Sequence, residues 1–378
     1  MSTTTRVVLV GAGHAHVQVL RSWADSPPAG VELTLVEDRS EATYSGMVPG
    51  FVAGEYSLAE AQIAVAPLAR RCGATLVGRR AAGIDPVRRI VEVEGASPLP
   101  YDLASLDLGA TVRGLDLPGV REHALATRPI GDFVAALDDR VSEIVRAGRS
   151  GEIRVAVVGA GAAGVELAFT LRARLAAAGA PPNVFLVCGS AGFLPGFGPA
   201  VRRLAAREAE AAGIQVAATS DAVFVDGDGV GFATGHLAAD LVVWATGAAP
   251  GEMAAASALP RDAKGFVRVG PTLEVRGCPG LFAAGDCAGI EGAAWVPKSG
   301  VYAVRAGPVL DANLRASLRG EALEAFVPQR NALALLNLGG GRALATKWGL
   351  AFSGRLARRW KDRVDRAFVE GFRDHGAR

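Results

Sequence analysis

A chain of 378 residues, half of them apolar, is long enough for two or three domains with sizeable cores. Its formal net charge of +2 gives no global nucleic-acid footprint, so no nucleic-acid partner is expected. No run of about 20 apolar residues escapes a charge or a helix breaker, so no transmembrane helix is expected either.

The N-terminus MSTTTRVVLVGAGHAH lacks the layout of a signal peptide. Arg6–Val10 is predicted as a short strand ended by glycines. A helix is predicted over His14–Trp23, and a second strand over Val31–Val36, ending at Glu37-Asp38. Gly11 and Gly13 open this βαβ unit in the pattern G-x-G-x-x-G, but His16 holds the third glycine's place. The segment TYSGMVPGFVAGEYS carries too many glycines for a regular element. Strands fit ATLVGRRAAGIDP, RRIVEVEG and YDLASLDLGA.

After a basic linker near Arg146–Ser150 the pattern restarts. Arg154–Val158 reads as a strand, GAGAAGVE opens a helix running to about Ala178, and Asn183–Val187 is the next strand. Gly159, Gly161 and Gly164 complete the fingerprint here. One G-x-G is a weak sign, but two copies in the same strand–glycines–helix–strand setting are a much stronger one. Each unit has a later counterpart: Tyr101–Ala110 with Gly109, and Ala239–Gly247. Both read as a buried strand ending in a glycine turn that passes a bound nucleotide. The run PGLFAAGDCAG then ends a strand at Gly285-Asp286, with the carboxylate placed to meet a ligand hydroxyl.

The four cysteines, Cys72, Cys188, Cys278 and Cys287, show no C-x-x-C spacing and point to neither a metal centre nor a disulfide framework. A reduced cytoplasmic setting is the expectation.

In this order, GAGHAHV, ATYSGMVPG, GAGAAGVE, WATGAAP and GLFAAGDCA resemble the two-dinucleotide-binding-domain flavoproteins. The chain looks most like their type II NADH dehydrogenase-like branch, and closest to the flavoprotein module fused to some bacterial selenide, water dikinases. The resemblance implies an α/β fold with two Rossmann-like domains, glutathione-reductase-like, and a C-terminal helical, basic extension. It implies one FAD and one NADH or NADPH. The FAD domain is expected at residues 1–112 and 265–315, the NAD(P) domain at 113–264, and the C-terminal region at 316–378.

By that resemblance Gly11, Gly13, His14 and Ala15 cradle the FAD diphosphate at a helix N-terminus, where free N–H groups and the helix dipole favour anions. His16 is expected to face the sheet, since the third glycine serves packing and not phosphate contact. Glu37 is expected on the adenosine ribose, Ser45 and Gly46 beside the flavin ring, Gly109 in the passing turn, and Asp286 on the ribityl chain. Lys298, just before a helix, is expected to stabilise the anionic reduced flavin. Gly159, Gly161, Gly164 and Gly247 are expected to hold the nicotinamide nucleotide, with Glu166 near the nicotinamide. After NVFLV comes Cys188-Gly189-Ser190, so the acid or arginine that sets nucleotide preference is missing.

Tyr44–Gly54 contains no cysteine, which excludes a dithiol relay through that loop, and Cys287 reads as a packed small residue. A diffusible acceptor follows, with a quinone as the best candidate, although Val301 replaces the glutamine of type II NADH dehydrogenases. Residues 330–378 hold 11 Lys+Arg against 4 Asp+Glu. Leu356, Trp360, Val364, Phe368 and Phe372 recur every fourth residue among basic residues, an amphipathic helix. It suits an anionic membrane surface on the inner face of the cell membrane, or packing on the flavin domain or the second copy of a homodimer. The leading function is an FAD-dependent NAD(P)H oxidoreductase acting on a quinone-like acceptor. The alternatives are a low-turnover redox or nucleotide sensor, or an accessory reductase for sulfur or selenium species.

Overall fold

The computed structural model describes residues 4–147, 153–217 and 221–373. Ten strands form its two parallel sheets. In chain order they are β1 (Thr5–Val10), β2 (Val31–Val36), β3 (Thr75–Val77), β4 (Leu103–Leu106), β5 (Ala124–Ala126), β6 (Arg154–Val158), β7 (Asn183–Val187), β8 (Ile214–Ala217), β9 (Leu241–Trp244) and β10 (Leu281–Ala283). The first sheet runs β10-β4-β1-β2-β3 and the second β5-β9-β6-β7-β8. Every pairing in both is parallel. The glycine-ended strand is central in each. A three-stranded antiparallel meander accompanies each sheet, at Ala81–Pro100 and at Ala222–Ala238. The duplication read from the sequence is thus a duplication of architecture.

The apolar runs explain the central positions. Val7, Val8, Leu9 and Val10 are all buried, as are Val155, Ala156, Val157 and Val158. A parallel sheet is covered on both faces, so its central strands have no polar alternation. The helices that cover these sheets include α1 (His16–Asp25), α2 (Val48–Val52), α3 (Ile130–Ala147), α4 (Ala162–Ala177) and α5 (Gly300–Arg319). The α1–α5 contact is pinned by Asp311, which accepts from Ser22 Oγ and Trp23 Nε1 at 2.6 Å each.

The structure departs from the sequence reading in four places. The expected strand over ATLVGRRAAGIDP breaks between Val77 and Ala81, giving β3 and the first meander strand. The segment expected to be irregular contains α2. Gly50 sits inside that helix because the Tyr56 ring lies where its Cβ would be, 2.4 Å away. The linker expected at Arg146–Ser150 begins inside α3, and its residues 148–150 lie outside the described residues.

The fourth departure concerns the C-terminus. A three-stranded antiparallel sheet of β11 (Ala334–Asn337), β12 (Ala343–Lys347) and β13 (Leu350–Gly354) leads into helix α6 (Arg355–Glu370). The predicted stripe does not form one face. Leu356, Trp360 and Val364 are exposed, whereas Phe368 is half-buried and Phe372 buried. The stripe is set one residue, or roughly 100° around a 3.6-residue helix, away from the face that packs inward. The inward face is instead Ala357, Lys361, Asp365 and Val369.

Candidate active site

The first glycine loop follows β1. Gly11 has φ +87°, and a Cβ there would lie 2.6 Å from the Asp107 carbonyl oxygen. Only glycine meets both conditions. Glu37, just past β2, accepts from the Ala12 N–H at 2.6 Å and the Arg39 N–H at 3.0 Å. Burial raises its pKa against those two bonds. The N–H groups of Gly13 and His14 take no hydrogen-bond partner among the described residues.

Asp107, not singled out as a site residue from the sequence, sits at the heart of this loop. Its Oδ2 accepts from the Ala15 N–H at 2.7 Å and the His16 N–H at 3.0 Å, capping the start of α1. The Cβ positions of Gly13 and Gly285 each lie 2.4 Å from its carboxylate. Burial pushes its pKa up to about 7. The position lies at the end of β4, which the sequence marked only as a glycine turn at Gly109, φ +71°.

His16 faces the sheet. Its Nδ1 donates to the Gly11 carbonyl at 2.6 Å, which leaves Nε2 to accept from the Ser105 hydroxyl at 2.8 Å. Burial pushes its pKa down to about 4, so the ring is neutral. His14 turns toward the loop after β2. Its Nε2 accepts from the Ser45 N–H at 3.1 Å, and its ring stands 5.5 Å from that of Tyr44 and 6.3 Å from that of Phe368. The start of α5 closes on the same spot, with the Cβ position of Gly300 2.3 Å from Ser45 Oγ and 3.6 Å from His14 Nε2. Three segments distant in sequence thus converge on His14, Ser45 and Gly300.

Asp286 is paired with Arg128, which also donates to the Lys298 carbonyl at 3.1 Å. Arg128 follows β5, and no sequence signal marked it. The Lys298 ammonium donates to the Ala288 carbonyl and lies 4.1 Å from the Phe266 ring centroid. Burial lowers its pKa.

In the second loop Gly159 has φ +110°, and its Cβ would lie 2.4 Å from the Ala245 carbonyl oxygen. A Cβ on Gly164 would lie 1.7 Å from the Gly159 carbonyl oxygen. That helix can start at Ala162 only because residue 164 is glycine. Gly161 precedes it with open space at its Cβ, and the N–H groups of Ala162 and Ala163 are unpartnered among the described residues. Gly247 is covered by the Arg113 guanidinium.

Glu166, on α4, is buried against the C-terminal region. It accepts from the Asn337 N–H at 2.7 Å and lies 4.0 Å from Lys361 Nζ. Burial pushes its pKa up to about 7, against the pull of Lys361. Lys361 also donates to the Gly46 carbonyl at 2.8 Å and pairs with Asp365 at 3.0 Å. It therefore joins the Ser45-Gly46 loop of the first unit to the α4 helix of the second. Sequence reading missed Lys361 and Asp365 because they lay between the members of an apolar stripe.

The family model described as pyridine nucleotide-disulphide oxidoreductase matches residues 5–307. The chain belongs to this family. It is similar to the NADH dehydrogenase-like protein YutJ of Bacillus subtilis, 24% identical over 86% of this chain and 87% of that protein. It is also similar to the demethylphylloquinone reductase NdbB of Synechocystis, 26% identical over 76% of this chain and 72% of that protein. Among solved structures, NDH2 of Plasmodium falciparum in complex with NADH has a TM-score of 0.80 at 14% identity, covering 98% of this chain and 97% of that one. The sulfide:quinone oxidoreductase of Aquifex aeolicus has a TM-score of 0.81 at 16% identity, covering 98% and 92%. The relatives named NADH dehydrogenase-like, YutJ among them, belong to the branch that the motifs resemble.

All four cysteines are free. Cys287 is buried and donates to the Ala284 carbonyl at 3.1 Å, and burial pushes its pKa to about 12. A thiol so held is a packing group and no nucleophile.

Proposed function

We propose that this oxidoreductase binds FAD in its first unit and NADH or NADPH in its second, and passes two electrons to a quinone-like acceptor without a redox-active disulfide. The observation that carries this reading is Lys361, which touches the Gly46 carbonyl and lies beside Glu166, so that both nucleotide units meet at one point. Residues 1–112 with 265–315 form the proposed FAD domain, residues 113–264 the NAD(P) domain, and residues 316–378 the C-terminal region.

The first loop fits a dinucleotide diphosphate. The free N–H groups of Gly13 and His14 offer donors to an anion. Ala15 completes the loop, Glu37 takes the ribose, Ser45 and Gly46 line the flavin ring, Gly109 forms the passing turn, and Asp286 holds the ribityl chain. The second loop fits in the same way, through Gly159, Gly161, Gly164 and Gly247. When bound, FAD supplies the hydride-accepting chemistry, and the protein positions the partners. Lys298 and the N-terminus of α5 place positive potential at one edge of the site. Glu166, poised near neutrality, holds or releases a proton beside the Lys361 ammonium.

The acceptor reading is supported by NdbB, itself named a demethylphylloquinone reductase, and by the absence of a paired thiol among these cysteines. It is supported further by one surface. Trp348, Leu350 and Leu356 are 71%, 75% and 73% exposed, and Phe352, Trp360 and Val364 flank them. Arg355, Arg359 and Arg363 are exposed on the same helix. Apolar tips ringed by arginines fit an anionic membrane surface, where quinones reside. No helix among the described residues is long and apolar enough to cross a membrane, so the proposed association is peripheral, on the inner face of the cell membrane. The test is quinone-dependent turnover. NADH or NADPH should be consumed rapidly only when a short-chain quinone is supplied, with one FAD released per chain on denaturation. Equal consumption with and without quinone would overturn the acceptor assignment.

A further inference from the structure

The second unit lacks an acid where β7 ends, yet the fold brings one there from another strand. β7 and β8 run parallel with Val187 opposite Ala217, and the Cys188 N–H donates to the Ala217 carbonyl at 3.0 Å. Beyond the end of β8, Asp221 reaches across to the turn after β7. Its Oδ1 accepts from the Ser190 N–H and its Oδ2 from the Ser190 hydroxyl, both at 2.8 Å. Gly189 has φ +55°, and a Cβ there would lie 2.4 Å from Asp221 Oδ1. The carboxylate thus lies against bare backbone. Ser190's two hydrogen bonds hold the Asp221 carboxyl below its usual pKa, so it is charged at neutral pH.

The location matters as much as the charge. It is the carboxyl end of adjacent parallel strands beside the fingerprint loop, where open α/β sheets bind dinucleotides. The Leu194 N–H, further along the same turn, donates to the Ala160 carbonyl of that loop at 2.8 Å. A carboxylate has about four lone-pair positions, and the two bonds from Ser190 leave others for a ligand's hydroxyl groups.

We propose that Asp221 is the specificity-determining residue of the nucleotide site, accepting from the adenosine ribose hydroxyls of NADH and excluding the 2′-phosphate of NADPH. The proposal rests on the reading of the second unit as a nicotinamide-nucleotide site. A phosphate beside a fixed carboxylate is a like-charge contact, which rejects a ligand more sharply than a lost hydrogen bond does. Arg113 acts on Asp221 through space. Its guanidinium lies over Gly247 and makes no hydrogen bond to Asp221 among the described residues.

The test pairs binding with chemistry on the FAD-loaded protein. NAD⁺ and NADP⁺ are titrated by calorimetry, and NADH and NADPH are mixed anaerobically while the flavin absorbance is followed. Both are done for wild type, Asp221→Asn and Asp221→Ala. The asparagine variant keeps an oxygen acceptor for Ser190, so loss of charge is separated from loss of the turn. Wild type should bind NAD⁺ at least about tenfold more tightly than NADP⁺, and both variants should bring the ratio within about threefold. A wild-type ratio near one, a preference for NADP⁺, or a ratio unchanged in both variants overturns the assignment. If NAD⁺ binds with the expected ratio but neither nucleotide bleaches the flavin, Asp221 stands and the oxidoreductase reading falls. If both nucleotides bleach the flavin equally well, the oxidoreductase reading stands and Asp221 falls. If neither nucleotide binds, both fall.

Discussion

His16 Nδ1 lies 2.6 Å from the Gly11 carbonyl oxygen, so the residue that replaces the third fingerprint glycine is bonded to the first. In the second unit a Cβ at the matching Gly164 would lie 1.7 Å from the Gly159 carbonyl oxygen. The first unit avoids that clash by starting its helix later, at His16, where the second starts at Ala162, two residues before its glycine. The imidazole then fills the space between loop and sheet and satisfies both Gly11 and Ser105.

His16→Ala therefore removes two buried hydrogen bonds and opens a cavity. We expect a loss of about 2–4 kcal/mol in chemical denaturation. The pH dependence should change too. His16 has a folded pKa of about 4 against an ordinary 6.5, so its contribution is complete above 6.5 and lost as pH falls toward 4. Asp107 and Glu166, both raised to about 7, act in the opposite sense, with contributions lost as pH rises through 7. In wild type the slope of His16 offsets part of that of the two acids. Removing His16 should make stability fall more steeply as pH rises from about 4 to 6.5, by up to about 1.4 kcal/mol per unit.

Asp107 should make FAD binding sensitive to pH. Its carboxylate lies 2.4 Å from the Cβ position of Gly13, beside the proposed diphosphate cradle, and ionises near 7. FAD rebinding to the stripped protein, read by flavin fluorescence, should be several-fold weaker at pH 8 than at pH 6. Asp107→Asn should remove most of that difference. A wild-type affinity indifferent to pH in this range would show that the carboxylate does not face the diphosphate.

Lys361 neutralises two buried acids, Glu166 and Asp365, while satisfying the Gly46 carbonyl. Lys361→Met removes the ammonium that faces both, and should cost about 3–5 kcal/mol of stability. Adding Glu166→Gln to that variant should recover part of the loss, which a double-mutant cycle would read as coupling. Additive effects would mean that the 4.0 Å separation of Lys361 and Glu166 carries no energy.

The membrane surface makes a separable claim. Replacing Trp348, Leu350 and Leu356 together by serine should release the protein from anionic vesicles in co-sedimentation, while turnover with a water-soluble quinone stays within about twofold of wild type. Binding that persists in the triple variant would place the contact elsewhere.

Much of the scaffold was legible in the sequence because strong local signals dictate it. Val31–Val36, Arg154–Val158 and Asn183–Val187 are apolar runs bounded by breakers, and each forms a strand over those residues. Gly11 and Gly159 lie where a positive φ and a close carbonyl demand glycine. Three-dimensional coincidences were not legible. Asp221 substitutes for an acid missing 31 residues earlier at Ser190, and only the pairing of β7 with β8 brings them together. Arg128 reaches Asp286 across 158 residues. The α6 stripe misled because the face that packs inward lies one residue further on, and two of its four members, Lys361 and Asp365, are charged. Lys361 and Asp365 turn inward there because Gly46 and Glu166 present buried polar groups that need partners.

The most direct test of the central claim is anaerobic mixing of the FAD-loaded protein with NADH, and separately with NADPH, while the oxidised-flavin absorbance is recorded. Rapid bleaching, followed by recovery on adding a quinone, is the outcome this account predicts, with NADH the faster donor. A fully loaded flavin left oxidised by both nucleotides would contradict it.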